Sequence, residues 1–169
     1  MAEQETMQQE WIKRGTPGKE HQMLARHEGE WNVILRTWMN PDEPPSENKG
    51  TASYKMILGG RVLVEDFRGD FQGMPFEGHG MIGYDNNRGR WWQTWNDNMS
   101  TAIFKGEGTA GPDGKTITMT GKSDRPDRKD VESKGVYHFA SDNEHTFETY
   151  EKGPDGKERK TMEIHYRRK

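Results

Sequence analysis

The chemistry open to this chain of 169 residues must come from carboxylates, imidazoles, phenols and amides, because it has no cysteine. That removes disulfides, thiol nucleophiles and thiolate metal sites, and it fits a reducing cytoplasm. The six histidines offer no pair at the i, i+4 spacing of a helical zinc site. His138 and His145 are seven apart and straddle a turn, so neither a metal nor another cofactor is expected. The groups that remain are Glu65, Asp97 and His145, with Tyr54 and Gln93 beside them and Tyr84, Trp91 and Trp95 as rings. A carboxylate set among rings can be tuned for proton transfer or can orient a ligand. It can equally be a satisfied hydrogen-bond network that pins strand register. The rings can line a cavity or fill it.

These side chains need elements to position them. Residues 1–15 read as a mobile polar arm, acidic at its start and unlike a secretion signal or transit peptide. Thr16-Pro17 resembles a helix start, a hydroxyl cap followed by Pro at the first helical position. The helix is expected over 17–27, ending before Gly29, with Met23 and Leu24 as its apolar contacts. From Glu30 onward, short runs alternate apolar and polar between frequent turn signals, the pattern of an all-β barrel or sandwich. Ten runs are legible, at 30–39, 50–58, 61–71, 76–85, 90–97, 100–110, 115–124, 130–140, 144–152 and 158–168. The stretches 40–48 and 124–129 read as loops. Gly59-Gly60 marks a two-residue hairpin, and the repeated GPDGK at 111–115 and 153–157 marks two similar turns.

Directly opposed residues of a hairpin share a face, so registers can be tested against one another. Closing the second and third runs at Gly59-Gly60 sets Tyr54 opposite Glu65 and Ala52 opposite Phe67. A loop over Gln72 to Pro75 then sets Glu65 opposite Ile82 and Phe67 opposite Gly80. The next loop sets Tyr84 by Trp91, Ile82 by Gln93 and Gly80 by Trp95. A turn at Asn98-Met99 sets Gln93 by Phe104, and the first GPDGK turn sets Phe104 by Gly121. Tyr54, Glu65, Ile82 and Gln93 then share one row. One face collects most of the rings together with Leu58, and the other collects Thr, Lys, Asp and Glu. Ten such strands close most simply into a single antiparallel barrel spanning 16–169 with its short helix. Asp97 lies near Gly69 and Gly78, at the end where the mouth is expected.

Ile57, Val62, Val64, Met81 and Trp92 fall on the outer face as an apolar strip. The N-terminal helix or a second copy in a homodimer would cover it. Leu, Ile, Val and Phe make only 22 of the 169 residues, which meets half of a disorder signature that asks for under roughly 20 % together with a high net charge. Six Trp, five Tyr and ten Met make up the deficit, and the net charge is only −3. No basic block points to nucleic acid, and no apolar run approaches the roughly 18 residues of a membrane span.

The stretches His21…Leu24…Gly29-Glu30-Trp31, ILGGRVL at 57–63, FEGHGMIGYDN at 76–86, WNDNMST at 95–101 and YEKGPDGKERKTMEIHYRRK at 150–169 carry a resemblance. They resemble the domain-of-unknown-function 1579 family of bacterial proteins, over residues 20–169. The resemblance implies a lipocalin-like barrel and brings no activity with it. Arg26-His27-Glu28 stands where apolar residues are commoner in that family. The reading that follows is a barrel binding a small, mostly apolar ligand, contacted by Tyr54, Glu65, Tyr84, Trp91, Gln93, Trp95, Asp97 and His145. The alternatives are an enzyme using Glu65 or Asp97 as general acid or base, and a solid-core module acting through its outer surface.

Overall fold

A computed structural model describes residues 2–125 and 127–169. Ten strands follow in order: β1 (Gly29–Thr37), β2 (Ser46–Ile57), β3 (Val62–Phe71), β4 (Met74–Asp85), β5 (Arg90–Asp97), β6 (Phe104–Ala110), β7 (Thr116–Ser123), β8 (Val131–His138), β9 (Glu144–Lys152) and β10 (Glu158–Arg168). Each pairs antiparallel with the next, and β10 pairs with β1, so the sheet is a closed barrel. Closure leaves no strand edge unpaired.

The hairpin β2–β3 has the expected register, Tyr54 opposite Glu65 and Ala52 opposite Phe67. Three later hairpins differ from expectation by two residues. The β3–β4 turn is only Gln72-Gly73, both at positive φ (54° and 81°), so Glu65 faces Gly80 and Phe67 faces Gly78. A two-residue turn of this kind matches the twist of the strands it joins. The β5–β6 connection is longer than a tight turn, because Asn98 donates from its backbone to Glu77 and from Nδ2 to Pro75, and Asn96 Nδ2 to Ala102. Gln93 therefore faces Gly106. In the β6–β7 turn Asp113 accepts from the Lys115 and Thr116 backbones and from Thr116 Oγ1, adding two residues to the loop and setting Gly106 opposite Gly121. Every slip is by two, so no side chain changed face. The expected row is nevertheless corrected. Tyr54 and Glu65 share it with Gly80, Trp95 and Phe104, not with Ile82 and Gln93.

Two helices precede the barrel. Residues read as a polar arm form α1 (Ala2–Gly15). Its Glu, Gln, Met, Lys and Arg are good helix formers. Its last carbonyls find donors: Thr16 Oγ1 donates to Ile12, Asn86 Nδ2 to Arg14 and Thr16, and Arg61 to Gly15. Thr16 thus closes α1 and does not open the next helix. That helix, α2, is shorter than expected (Lys19–Ala25) and begins after Gly18, whose N–H donates to His21 Nδ1 at 3.0 Å.

α2 closes one end of the barrel. His21 Nε2 lies 3.1 Å from the Tyr84 carbonyl, Leu24 is wholly buried, and Trp31 Nε1 donates to the His27 carbonyl at 3.0 Å. On the outer strip, Val62 is buried and Ile57, Val64, Met81 and Trp92 are half-buried. Leu58, expected inside, sits in the β2–β3 turn at φ 53° and is 68 % exposed. No helix among the described residues is long and apolar enough to cross a membrane. The opposite end of the barrel carries exposed Met39, Met74, Met99 and Ile103.

Candidate functional site

Strand alternation turns Glu65 inward from the middle of β3, where only 7 % of its surface stays accessible. Burial without a counter-charge penalises the carboxylate and pushes its pKa up to about 7. Two phenols pull it partway back. Tyr166 of β10 donates to Oε1 at 2.8 Å, and Tyr54 of β2 assists from directly opposite. Tyr137 of β8 feels the same carboxylate. Burial and that negative charge hold all three phenols well above the ordinary tyrosine range.

His145 extends the cluster toward the capped end. Its Nε2 lies 3.3 Å from the Tyr54 hydroxyl, and its ring stacks on Tyr166 with centroids 4.2 Å apart. Among the described residues, Nδ1 is buried without a partner. Placing the proton on Nε2 leaves no buried N–H unpaired, so the chain of donors runs from His145 to Tyr54 to Glu65. Burial is the main force pushing this imidazole down to a pKa of about 2, with the His27 and Arg168 charges adding to it. His145 is therefore a neutral donor at ordinary pH and brings no positive charge to Glu65.

The structure distributes the other expected residues along the barrel. Gln93 is buried one layer away, its amide nitrogen over Gly106 and Gly135. Trp95 lies against Gly78 and Gly80, where any Cβ would collide with its ring, and its Nε1 donates to Asp97 at 2.9 Å. The other Asp97 oxygen accepts from the Met99 backbone, so both are committed to holding the β5–β6 connection. Tyr84 and Trp91 pack on each other at 5.2 Å under α2, away from the uncapped end. Glu65, Tyr54 and His145 are thus brought together, while Tyr84, Trp91 and Asp97 lie at the two ends. Tyr166 and Tyr137 join the cluster without having been singled out. Their proximity to Glu65 depends on how β8 and β10 curve round to face β3.

The lumen is sealed at one end and looser toward the other. Trp31, Val33, Ala52, Leu63 and Ile117 are buried below 3 %. Trp95, Phe104, Tyr137, Phe147 and Met162 also point inward but are only half-buried. Phe147 and Met162 do so from within β9 and β10, whereas Phe104 opens β6, Tyr137 is next to last in β8 and Trp95 is third from the end of β5. The surface that Phe147 and Met162 keep accessible lies on the inner face of the barrel. A separate groove of about 650 Å³ lies on the outer wall of β1–β5, lined by Glu30, Ser53, Asp66, His79 and Asn96 among others. There His79 Nδ1 pairs with Asp66 at 2.7 Å.

The sequence matches the family model described as "Protein of unknown function (DUF1579)" over residues 16–168. No curated protein matches it. Among solved structures, it is similar to Rv2717c from M. tuberculosis, at 14 % identity and a TM-score of 0.66 over 91 % of this chain and 99 % of that one. It is also similar to the S-type phycobiliprotein lyase CPES from Guillardia theta, at 14 % identity and a TM-score of 0.61 over 90 % of this chain and 98 % of that one. At such identities the likeness is one of fold, a lipocalin-like barrel.

Proposed function

We propose a function for this chain, which belongs to the DUF1579 family of proteins of unknown function: it binds a small, mostly apolar ligand in the barrel lumen, entering at the end that α2 leaves open. One observation carries the reading. Phe147 and Met162 face inward from within β9 and β10 and keep accessible surface. Rings would supply the apolar wall, and Glu65 with its phenols a single polar contact to orient the ligand. Tyr54, Gln93 and Trp95 border that space, and His145 supports Tyr54 from behind. Tyr84, Trp91 and Asp97 take structural parts in this scheme.

The acid–base alternative is weaker for Asp97, whose two oxygens are both engaged. For Glu65 it would need a second proton-transfer group facing the same atom, and the neighbours here are phenols whose pKa burial raises well above the ordinary tyrosine range.

Native mass spectrometry of the protein purified from its own host tests the proposal. A small-molecule mass should accompany the chain and leave on denaturation. A bare chain whose tryptophan emission is also unmoved by apolar probes would overturn it.

A further inference from the structure

Among the described residues, Glu65 is a carboxylate with phenols around it and no cation beside it. From β2 it meets Tyr54, from β4 only Gly80, from β10 Tyr166 and from β8 Tyr137. The imidazole of β9, His145, stands behind Tyr54 and is uncharged at ordinary pH. Its chain neighbour Asp66 is on the outer face and adds negative charge. Two arginines with inward parity lie at the barrel ends and are occupied. Arg168 donates to the carbonyls of Arg26, Glu28 and Asp142 at the capped end, and Arg159 donates to Asp155 at the other. A buried carboxylate normally acquires an opposite charge or stays protonated. Here the protein supplies hydrogen bonds and leaves the opposite charge out.

We propose that the missing charge comes with the ligand: the lumen takes an apolar amine, its ammonium group set against Glu65 and its hydrocarbon body among Trp95, Phe104, Phe147 and Met162. This rests on the reading of the lumen as a ligand site and narrows its chemistry. An apolar acid of the same shape would bring a second negative charge to an enclosed carboxylate. An apolar alcohol would bring only a hydrogen bond, which the phenols already provide. The amine alone gains from the low dielectric that makes the isolated carboxylate costly. The preference should depend on pH through Glu65, whose charge the other groups facing it do not share: the phenols remain neutral and His145 remains neutral over the range in which this carboxyl titrates.

The test is calorimetric titration with three ligands of one shape: 2-cyclohexylethylamine, 2-cyclohexylethanol and cyclohexylacetate. At pH 8 the amine should bind about tenfold more tightly than the alcohol, and the acid least tightly. At pH 5.5, with Glu65 protonated, the advantage of the amine should shrink. Glu65→Gln should abolish it at pH 8, and Asp66→Asn, on the outer groove, should not. Alcohol binding equal to amine binding, a preference for the acid, or an amine preference that survives Glu65→Gln would each overturn the amine assignment while leaving the lumen site standing. No binding by any of the three would remove both. If Glu65→Gln does not fold, the pH dependence of the wild-type preference decides by itself.

Discussion

The hydroxyl of Tyr166 stands 2.8 Å from Oε1 of Glu65, across 101 residues of chain. That contact joins the last strand to the third and places the polar centre of the barrel where closure is completed. Removing it should raise the Glu65 pKa further, since the phenol favours the ionised form. Tyr166→Phe is expected to cost about 1–3 kcal/mol at pH 8 and clearly less at pH 5. Urea unfolding at the two pH values measures the difference.

Glu65 itself should impose a pH slope. Its folded pKa, about 7, lies above the ordinary 4.5. The folded state holds this proton more tightly, so its contribution is intact below about 4.5 and is lost as pH rises through 7. The loss amounts to about 3 kcal/mol. Glu65→Gln should be free of that slope and more stable than wild type at pH 8. Equal slopes in the two proteins would show that the carboxyl is not enclosed as described.

His145 works in the other direction. Its folded pKa lies far below 6.5, so the unfolded chain takes up the proton first. Stability from this group is complete above about 6.5 and declines as pH falls below it. His145→Phe keeps a ring on Tyr166 but cannot take up a proton. Its acid-unfolding midpoint should move to lower pH, although at pH 8 it loses about 1 kcal/mol with the Tyr54 contact. Circular dichroism across pH 3–7 reads the shift.

Gly78 makes room for an indole. A Cβ there would lie 2.1 Å from Trp95 Cζ2. Gly78→Ala should destabilise the barrel by about 1–3 kcal/mol, because the ring must leave its place or the strands must part. It should also break the Trp95–Asp97 hydrogen bond and shift tryptophan emission to the red. Unchanged emission would mean that the ring has another place to go.

Much of this was readable along the chain, and the limits follow from particular residues. Tyr54 opposite Glu65 was legible because Gly59-Gly60 sets the turn between them. Glu65 opposite Ile82 was misplaced because Gln72, a non-glycine residue, adopts a positive φ and shortens the loop. The longer β5–β6 loop depends on Asn96 and Asn98 reaching carbonyls on other segments, which spacing alone does not reveal. The helix over Ala2–Gly15 was hidden because its polar composition suits an unstructured arm as well as a helix.

By itself the sequence determined which side chains within the strands face in, though not Leu58, which the β2–β3 turn carries outside. Alternation has period two, so parity survived every two-residue slip in loop length. The same parity explains how few aliphatics suffice: Trp, Tyr, Phe and Met on one face fill what Leu and Ile would fill elsewhere. Only the tertiary structure decided which inward residues meet. Glu65 with Tyr166, and Tyr54 with His145, are brought together by the pairing of β1 with β10 and by barrel curvature. Those contacts span about a hundred residues, and no local periodicity encodes a distance that long.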